Sequence, residues 1–256
     1  MDNLALKLVL TPALIGAATL VGRRWGQSVG GWLVGLPLTT GPVAFFIALD
    51  HGAAFGAAAV VGSLAGAVAE AAFSVAYGWS ATRGPWPPAL LAGSAAYAVT
   101  AAILQPLGLG PAPLFALAVA ALAVSLRLMP AVASGVTPAE PPRWDLPARM
   151  VLATAVVLAL TALAPRLGAR WSGLLATYPL FAAILTAFGH RVQGAGAAVS
   201  VLRGLLFGLF SFAAFCLVLA VGLVPLGIAG AFAAAIAAAL LVQGLALWRL
   251  RAPGAS

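Results

Sequence analysis

Nine apolar stretches dominate the chain, near residues 3–22, 28–49, 52–80, 87–105, 111–128, 147–165, 171–189, 194–222 and 225–248. A helix needs about 20 residues, at about 1.5 Å each, to cross roughly 30 Å of hydrocarbon, and every stretch meets or approaches that length. Only short breaks separate them, at 23–25, 50–52, 82–85, 108–113, 166–171 and 190–191, and the longest polar stretch, 130–149, leaves no room for a soluble domain. A water-facing surface needs roughly a quarter of its residues charged. This chain has 7% charged and 63% hydrophobic residues, which excludes soluble enzymes, nucleic-acid binders and disordered tails. The expectation is an all-α polytopic protein of the inner membrane with nine transmembrane helices.

Basic residues fall unevenly on alternate breaks. With the N-terminus outside, one face collects Arg23, Arg24, Arg83, Arg127, Arg143, Arg149, Arg191, Arg249 and Arg251, while the other holds Lys7, Arg166 and Arg170. The positive-inside rule then predicts an outside N-terminus and a cytoplasmic C-terminus. The net charge of +8 is thereby a topology signal rather than a nucleic-acid surface. Trp25, Trp79, Trp86, Trp144, Trp171 and Trp248 lie at expected helix ends, as an interfacial belt does. Residues 1–22 have the outline of a signal peptide, but Arg23 and Arg24 follow as a stop-transfer flank, so the segment is expected to be retained. Cys216 is the single cysteine and allows no disulfide within the chain. Arginine outnumbers lysine twelve to one, a composition that points to a GC-rich bacterial genome.

Sliding the chain on itself by 142 residues reveals an internal repeat. Arg24, Gly26, Gly31, Leu33, Pro37, Leu38, Phe46, Gly52, Ala53, Gly62, Leu64, Gly66, Ala71, Ala72 and Phe73 each meet the same residue type 142 positions later, which is 15 identities in the 50 positions 24–73. Composition alone would give about 5 or 6. Upstream, Val9, Leu10, Ala13 and Thr19 also match, so the first stretch belongs to the repeated unit. Five crossings separate equivalent positions, and an odd number turns the second copy upside down. The fifth stretch has no mate. The predicted architecture is a 4+1+4 inverted-topology repeat: residues 1–106 form the first four-helix unit, 107–146 the linking helix and cytoplasmic loop, and 147–251 the second unit.

The chemistry-bearing residues cluster at corresponding places in the two units. Pro37 and Pro42 fall in the middle of the second stretch and Pro179 in the middle of the seventh. Each proline removes an N–H and frees carbonyls at membrane depth, kinking its helix, with Thr39, Thr40, Thr177 and Tyr178 as the hydroxyls at hand. Paired broken helices of this kind line the midplane sites of inverted-repeat transporters. A plain kink packed against its neighbours is the alternative reading. Glu70 and Arg203 are the charges deepest in apolar stretches, both about 6–7 Å to the cytoplasmic side of mid-helix at about 1.5 Å per residue, a depth that permits a pair. Their mates, Phe212 and Val61, are apolar, so the charges break the repeat. A structural salt bridge or a snorkelling arginine is the plainer reading. Gly62 with Gly66 and Gly204 with Gly208 are aligned small-xxx-small pairs, expected to pack helices closely. Asp50, His51, His190 and Arg191 are expected as interfacial anchors; two histidines without further ligands make no metal site. The run from Gly26 to Gly30 around Ser28 matches a nucleophile elbow formally, but it opens a membrane helix and is taken as coincidence.

Residues 31–46 (GWLVGLPLTTGPVAFF) and 172–191 (SGLLATYPLFAAILTAFGHR) resemble the GlpM-like family of small bacterial membrane proteins. The shared element is a glycine-rich helix with a central Pro-Leu and an apolar-aromatic run, followed by a charged break and a glycine-studded helix. The resemblance implies a fused, inverted double copy of a unit found singly in that family, and a link to exopolysaccharide production. It brings no catalytic residues.

The function expected from these features is a small-solute secondary transporter or exporter. Its midplane site lies between the repeats, with Thr39, Thr40, Glu70, Thr177, Tyr178 and Arg203 in contact with substrate. The alternative is a non-catalytic accessory of envelope or exopolysaccharide synthesis. No enzyme activity, cofactor or metal is expected. The partners are the lipid bilayer, a small-molecule or ion substrate and a second copy of the chain, with no nucleic acid.

Overall fold

A computed structural model describes residues 4–38, 40–131 and 141–251; side chains are described for these except 4–8, 10, 160–161, 163–176 and 248–251. Every regular element among them is helical: α1 Leu4–Trp25, α2 Gln27–Val34, α3 Thr40–His51, α4 Ala53–Ala81, α5 Trp86–Leu104, α6 Pro111–Leu128, α7 Asp145–Ala176, α8 Leu180–Gln193 and α9 Ala195–Arg251, with a 3₁₀ turn at Gln105–Leu107. Alanine, leucine and valine supply helix propensity and apolar surface together, and glycine and proline supply the stops. Thus α4 begins after Gly52, whose φ of 89° few other residues adopt, and α5 begins with prolines in its first turn.

Four helices among the described residues are long and apolar enough to cross a membrane: Ala53–Ala81, Trp86–Leu107, Pro111–Leu128 and Ala195–Leu247. The last of these is bent at Gly227, where φ is 68°, into two arms that correspond to the eighth and ninth stretches. The second and seventh stretches are not continuous helices. The second is split into α2 and α3 at residues 35–38, and the seventh into the end of α7 and α8 at residues 177–179. Conversely, the expected break at 166–171 is absent, and α7 runs through it for 32 residues. Polarity alone does not end a helix, and α7 continues through this run with Pro165 just before it.

α4 and the first arm of α9 form the centre. α2 packs on α9, α5 and α6 on α4, and α1 pairs with α7 at the side. Phe73, Tyr77, Leu202, Leu205 and Leu206 fill one part of the core, Leu64, Phe215, Leu219 and Leu223 a second.

Small residues set the closeness of this packing. A Cβ on Gly31 would collide with the Val201 carbonyl oxygen, and one on Gly204 with that of Ser28. A Cβ on Gly35 would lie 2.6 Å from the Gly208 Cα. α2 and α9 therefore touch backbone to backbone, as the Gly204–Gly208 pair predicts. At Gly66 a Cβ would meet the Thr177 Cβ at 3.2 Å, whereas at Gly62 nothing lies within 4 Å.

Candidate functional site

The two helix breaks have the same backbone hydrogen bonds. Around Pro37, Leu38 N–H donates to Leu36 O at 2.8 Å and Gly41 N–H to Pro37 O at 2.8 Å. Around Pro179, Leu180 N–H donates to Tyr178 O at 2.7 Å and Ala183 N–H to Pro179 O at 2.8 Å. All four positions correspond across a shift of 142 residues. The corners after the breaks correspond too: Gly52 and Gly194 have φ of 89° and 87°. Pro37 and Pro179 therefore sit in the breaks. Pro42 does not kink a helix; it lies in the first turn of α3, where a missing N–H costs no helical bond.

Breaking α2 frees a carbonyl that another helix satisfies. Leu36 N–H turns to Leu33 O at 3.2 Å and Pro37 has no N–H, so Trp32 O loses its helical partner. Gln243, buried on the second arm of α9, donates to it from Nε2 at 3.1 Å. The second break is held by α5 instead. Tyr97 OH and Thr177 Oγ1 share a hydrogen bond of 2.5 Å, and Ser94 Oγ and Tyr178 OH one of 2.8 Å. The rings of Tyr97 and Phe73 both meet Tyr178 edge to face. Ser94 and Tyr97 escaped the sequence reading because isolated polar residues in an alanine-rich helix form no pattern. One signal was available: their repeat mates, Ile236 and Ala239, are apolar, the same asymmetry that singled out Glu70.

Both breaks face one cavity of about 680 Å³. Gly35, Leu36 and Thr40 line it from the first break, Thr177, Tyr178 and Pro179 from the second, and Gly62, Gly66 and Glu70 from α4. Leu104, Gln105, Gly108 and Leu109, at the end of α5 and in the turn after it, line it as well. Thr40, Glu70, Thr177 and Tyr178 thus come together. Thr39 lies outside the described residues. The Glu70 carboxyl has no hydrogen-bond or ion-pair partner among the described residues; only its backbone carbonyl accepts a bond, from Ser74 Oγ at 2.8 Å.

Arg203 is not there. Its guanidinium donates from Nη2 to the carbonyls of Pro130 at 3.2 Å and Met129 at 3.4 Å, at the C-terminal end of α6. The expected pair with Glu70 does not form, because Arg203 and the cavity-lining Leu205 and Leu209 lie on different faces of α9. A cation at a helix C-terminus meets orphan carbonyls and the negative end of the helix dipole, so Arg203 serves α6.

The end of the molecule opposite the turn after α5 gathers polar contacts. Asp145 is fully buried and accepts from Arg23 Nη2 at 2.8 Å and from Arg149 Nε and Nη2 at 3.0 Å, tying α1 to α7. Gln27 Nε2 donates to Gln193 Oε1 at 2.8 Å, and Tyr77 OH lies 3.4 Å from His190 Nδ1. His190 is therefore a buried core residue rather than an interfacial anchor, whereas His51 is exposed and rests on Phe55. Arg191 stacks on the exposed Trp144. Among the described residues no three His, Cys, Asp or Glu side chains gather as metal ligands would.

No known family profile, no curated protein sequence and no solved structure matches the chain.

Proposed function

We propose that the protein is a small-solute secondary transporter of an inner membrane, built from two inverted copies of one four-helix unit. Its site is the cavity where the two helix breaks meet. The observation that carries this reading is the convergence of both breaks on one acid, Glu70, that no cation among the described residues neutralises. A carboxylate at the centre of a bilayer costs about 2.5–3.5 kcal/mol on insertion scales, and a charge retained there without a partner is characteristic of a binding or coupling site. Unwound backbone at membrane depth is tolerated where it lines such a cavity.

The inverted repeat is supported by the matched hydrogen bonds at Pro37 and Pro179, the matched glycine corners, and the equivalence of the Gly35–Gly208 and Thr177–Gly66 approaches under the same shift. A GlpM-like origin of each half is part of the same proposal. Under the positive-inside rule the end with Arg23, Arg83, Arg127, Arg143 and Arg191 is cytoplasmic. The cavity residues Gln105 and Leu109 then lie toward the outer side and the Asp145 contacts toward the cytoplasm, the arrangement of an outward-open state in an alternating-access cycle. The cavity supports transport over an accessory role, for which a core sealed by Leu and Phe would suffice.

The test is flux. Proteoliposomes presented with a panel of charged and neutral metabolites under an ion gradient should take up at least one solute, and Glu70→Gln should abolish that uptake while the variant still elutes as a folded species. Uptake unchanged by Glu70→Gln removes Glu70 from the site, and no uptake across the panel overturns the transport reading.

A further inference from the structure

The charge and shape of the cavity specify a class of occupant, an inference that rests on the transport reading for how the occupant enters and leaves. A volume of about 680 Å³ lies among the roughly 300–1,000 Å³ of sites for drug-sized molecules. Among its described lining residues Glu70 is the only charged one, and no Lys, Arg or His is present. An anionic solute would meet a carboxylate and no countercharge. A hard inorganic dication would need six or so oxygen ligands at close range. The cavity offers that carboxylate and a few scattered polar groups, and the Thr177 and Tyr178 hydroxyls are already engaged by Tyr97 and Ser94.

The rest of the lining suits an apolar body carrying one positive charge. Val43, Ile47 and Leu209 present aliphatic wall, and Tyr178, Phe181 and Phe212 present three aromatic rings. Aromatic faces attract ammonium-type cations, most strongly where water is excluded. Phe212, the repeat mate of Glu70, lines the same cavity, so the acid has an aromatic ring as its symmetry counterpart.

We propose that the cavity binds a monovalent organic cation with an apolar body, its charge neutralised by the Glu70 carboxylate and its body held between the apolar walls and the rings of Phe181 and Phe212. One carboxylate balances one charge, so dications are disfavoured. The burial of the ion pair is tolerable because the occupant supplies the missing countercharge.

Tetraphenylphosphonium and tetraphenylborate, nearly equal in size and opposite in charge, are the probes. The purified protein should bind the phosphonium saturably and the borate not at all. Glu70→Gln should weaken phosphonium binding by about tenfold or more, and Glu70→Asp should retain it. Phe212→Arg alone, which pairs the carboxylate, should abolish phosphonium binding, and combined with Glu70→Gln, which leaves the cavity net positive, should admit the borate, a reversal that no loss of folding can imitate. Equal binding of both ions, no binding of the phosphonium to the wild type, or binding indifferent to Glu70→Gln and Phe212→Arg overturns the proposal. The transport reading is judged separately, by ethidium entry into DNA-loaded proteoliposomes. If the phosphonium fails to bind but a neutral or anionic solute shows Glu70-dependent uptake, the substrate class falls and transport stands. If the phosphonium binds as described but neither ethidium nor any solute of the metabolite panel enters faster than into protein-free liposomes, the site stands and transport falls.

Discussion

A methyl group at Gly204 has nowhere to go, because the Ser28 carbonyl oxygen occupies its place, and at Gly31 the Val201 carbonyl does the same. Relief requires α2 and α9 to separate along their whole contact. Gly204→Ala is therefore expected to cost about 1–3 kcal/mol, the usual range for overpacking, and Gly62→Ala close to nothing, since nothing lies within 4 Å of the latter position. Thermal denaturation in detergent of the two variants beside the wild type measures the contrast. The glycine spacing was legible as a packing signal, but which pair is tight and which is open was not: both pairs read alike, and only the partner helix distinguishes them. Glu70 was legible for a related reason, since a charge with an apolar mate stands out in a repeat. The destination of Arg203 was not. Its acceptors, the Met129 and Pro130 carbonyls, lie more than 70 positions away and carry no side-chain signature.

The prolines forecast both broken elements, because a missing N–H is a local fact that any fold must accommodate. What accommodates it is non-local and differs between the copies. Gln243 caps the carbonyl freed at Trp32, while Tyr97 and Ser94 hold the hydroxyls at Thr177 and Tyr178. Restoring an N–H at the second break should let α7 and α8 move toward one continuous helix and withdraw Tyr178 from the cavity wall. Pro179→Ala is accordingly expected to lower solute uptake by about tenfold or more while shifting stability by less than about 1 kcal/mol, read from flux and melting of the same preparation. The joining of the sixth stretch to the seventh in α7 was illegible, since the sequence reading treated a polar run as a stop and the helix continues through it. For the bend within α9 the reverse holds: the expected boundary between the eighth and ninth stretches lies within a few residues of Gly227.

Taken whole, the molecule is unequal about the proposed repeat. On one side α2 is seated on α9 through Gly31, Gly35, Gly204 and Gly208; on the other, α4 meets the second break at Gly66 and through the Phe73 ring on Tyr178, and leaves Gly62 facing the cavity. The Asp145 cluster and the Gln27–Gln193 pair fasten the end away from the turn after α5. If the two halves exchange conformations during transport, each contact has a named counterpart 142 residues away. Gly62 then becomes a berth: in the opposite state the second broken helix docks where there is now open space, and the glycine is the fitting kept clear for it. The chain thus carries a description of its own unseen conformation, and a wedge in that berth should jam the cycle without disturbing the present state. Gly62→Leu is expected to melt like the wild type and to stop solute uptake. It should also leave a cysteine at Ile47 permanently reactive to a membrane-impermeant maleimide from the outer side.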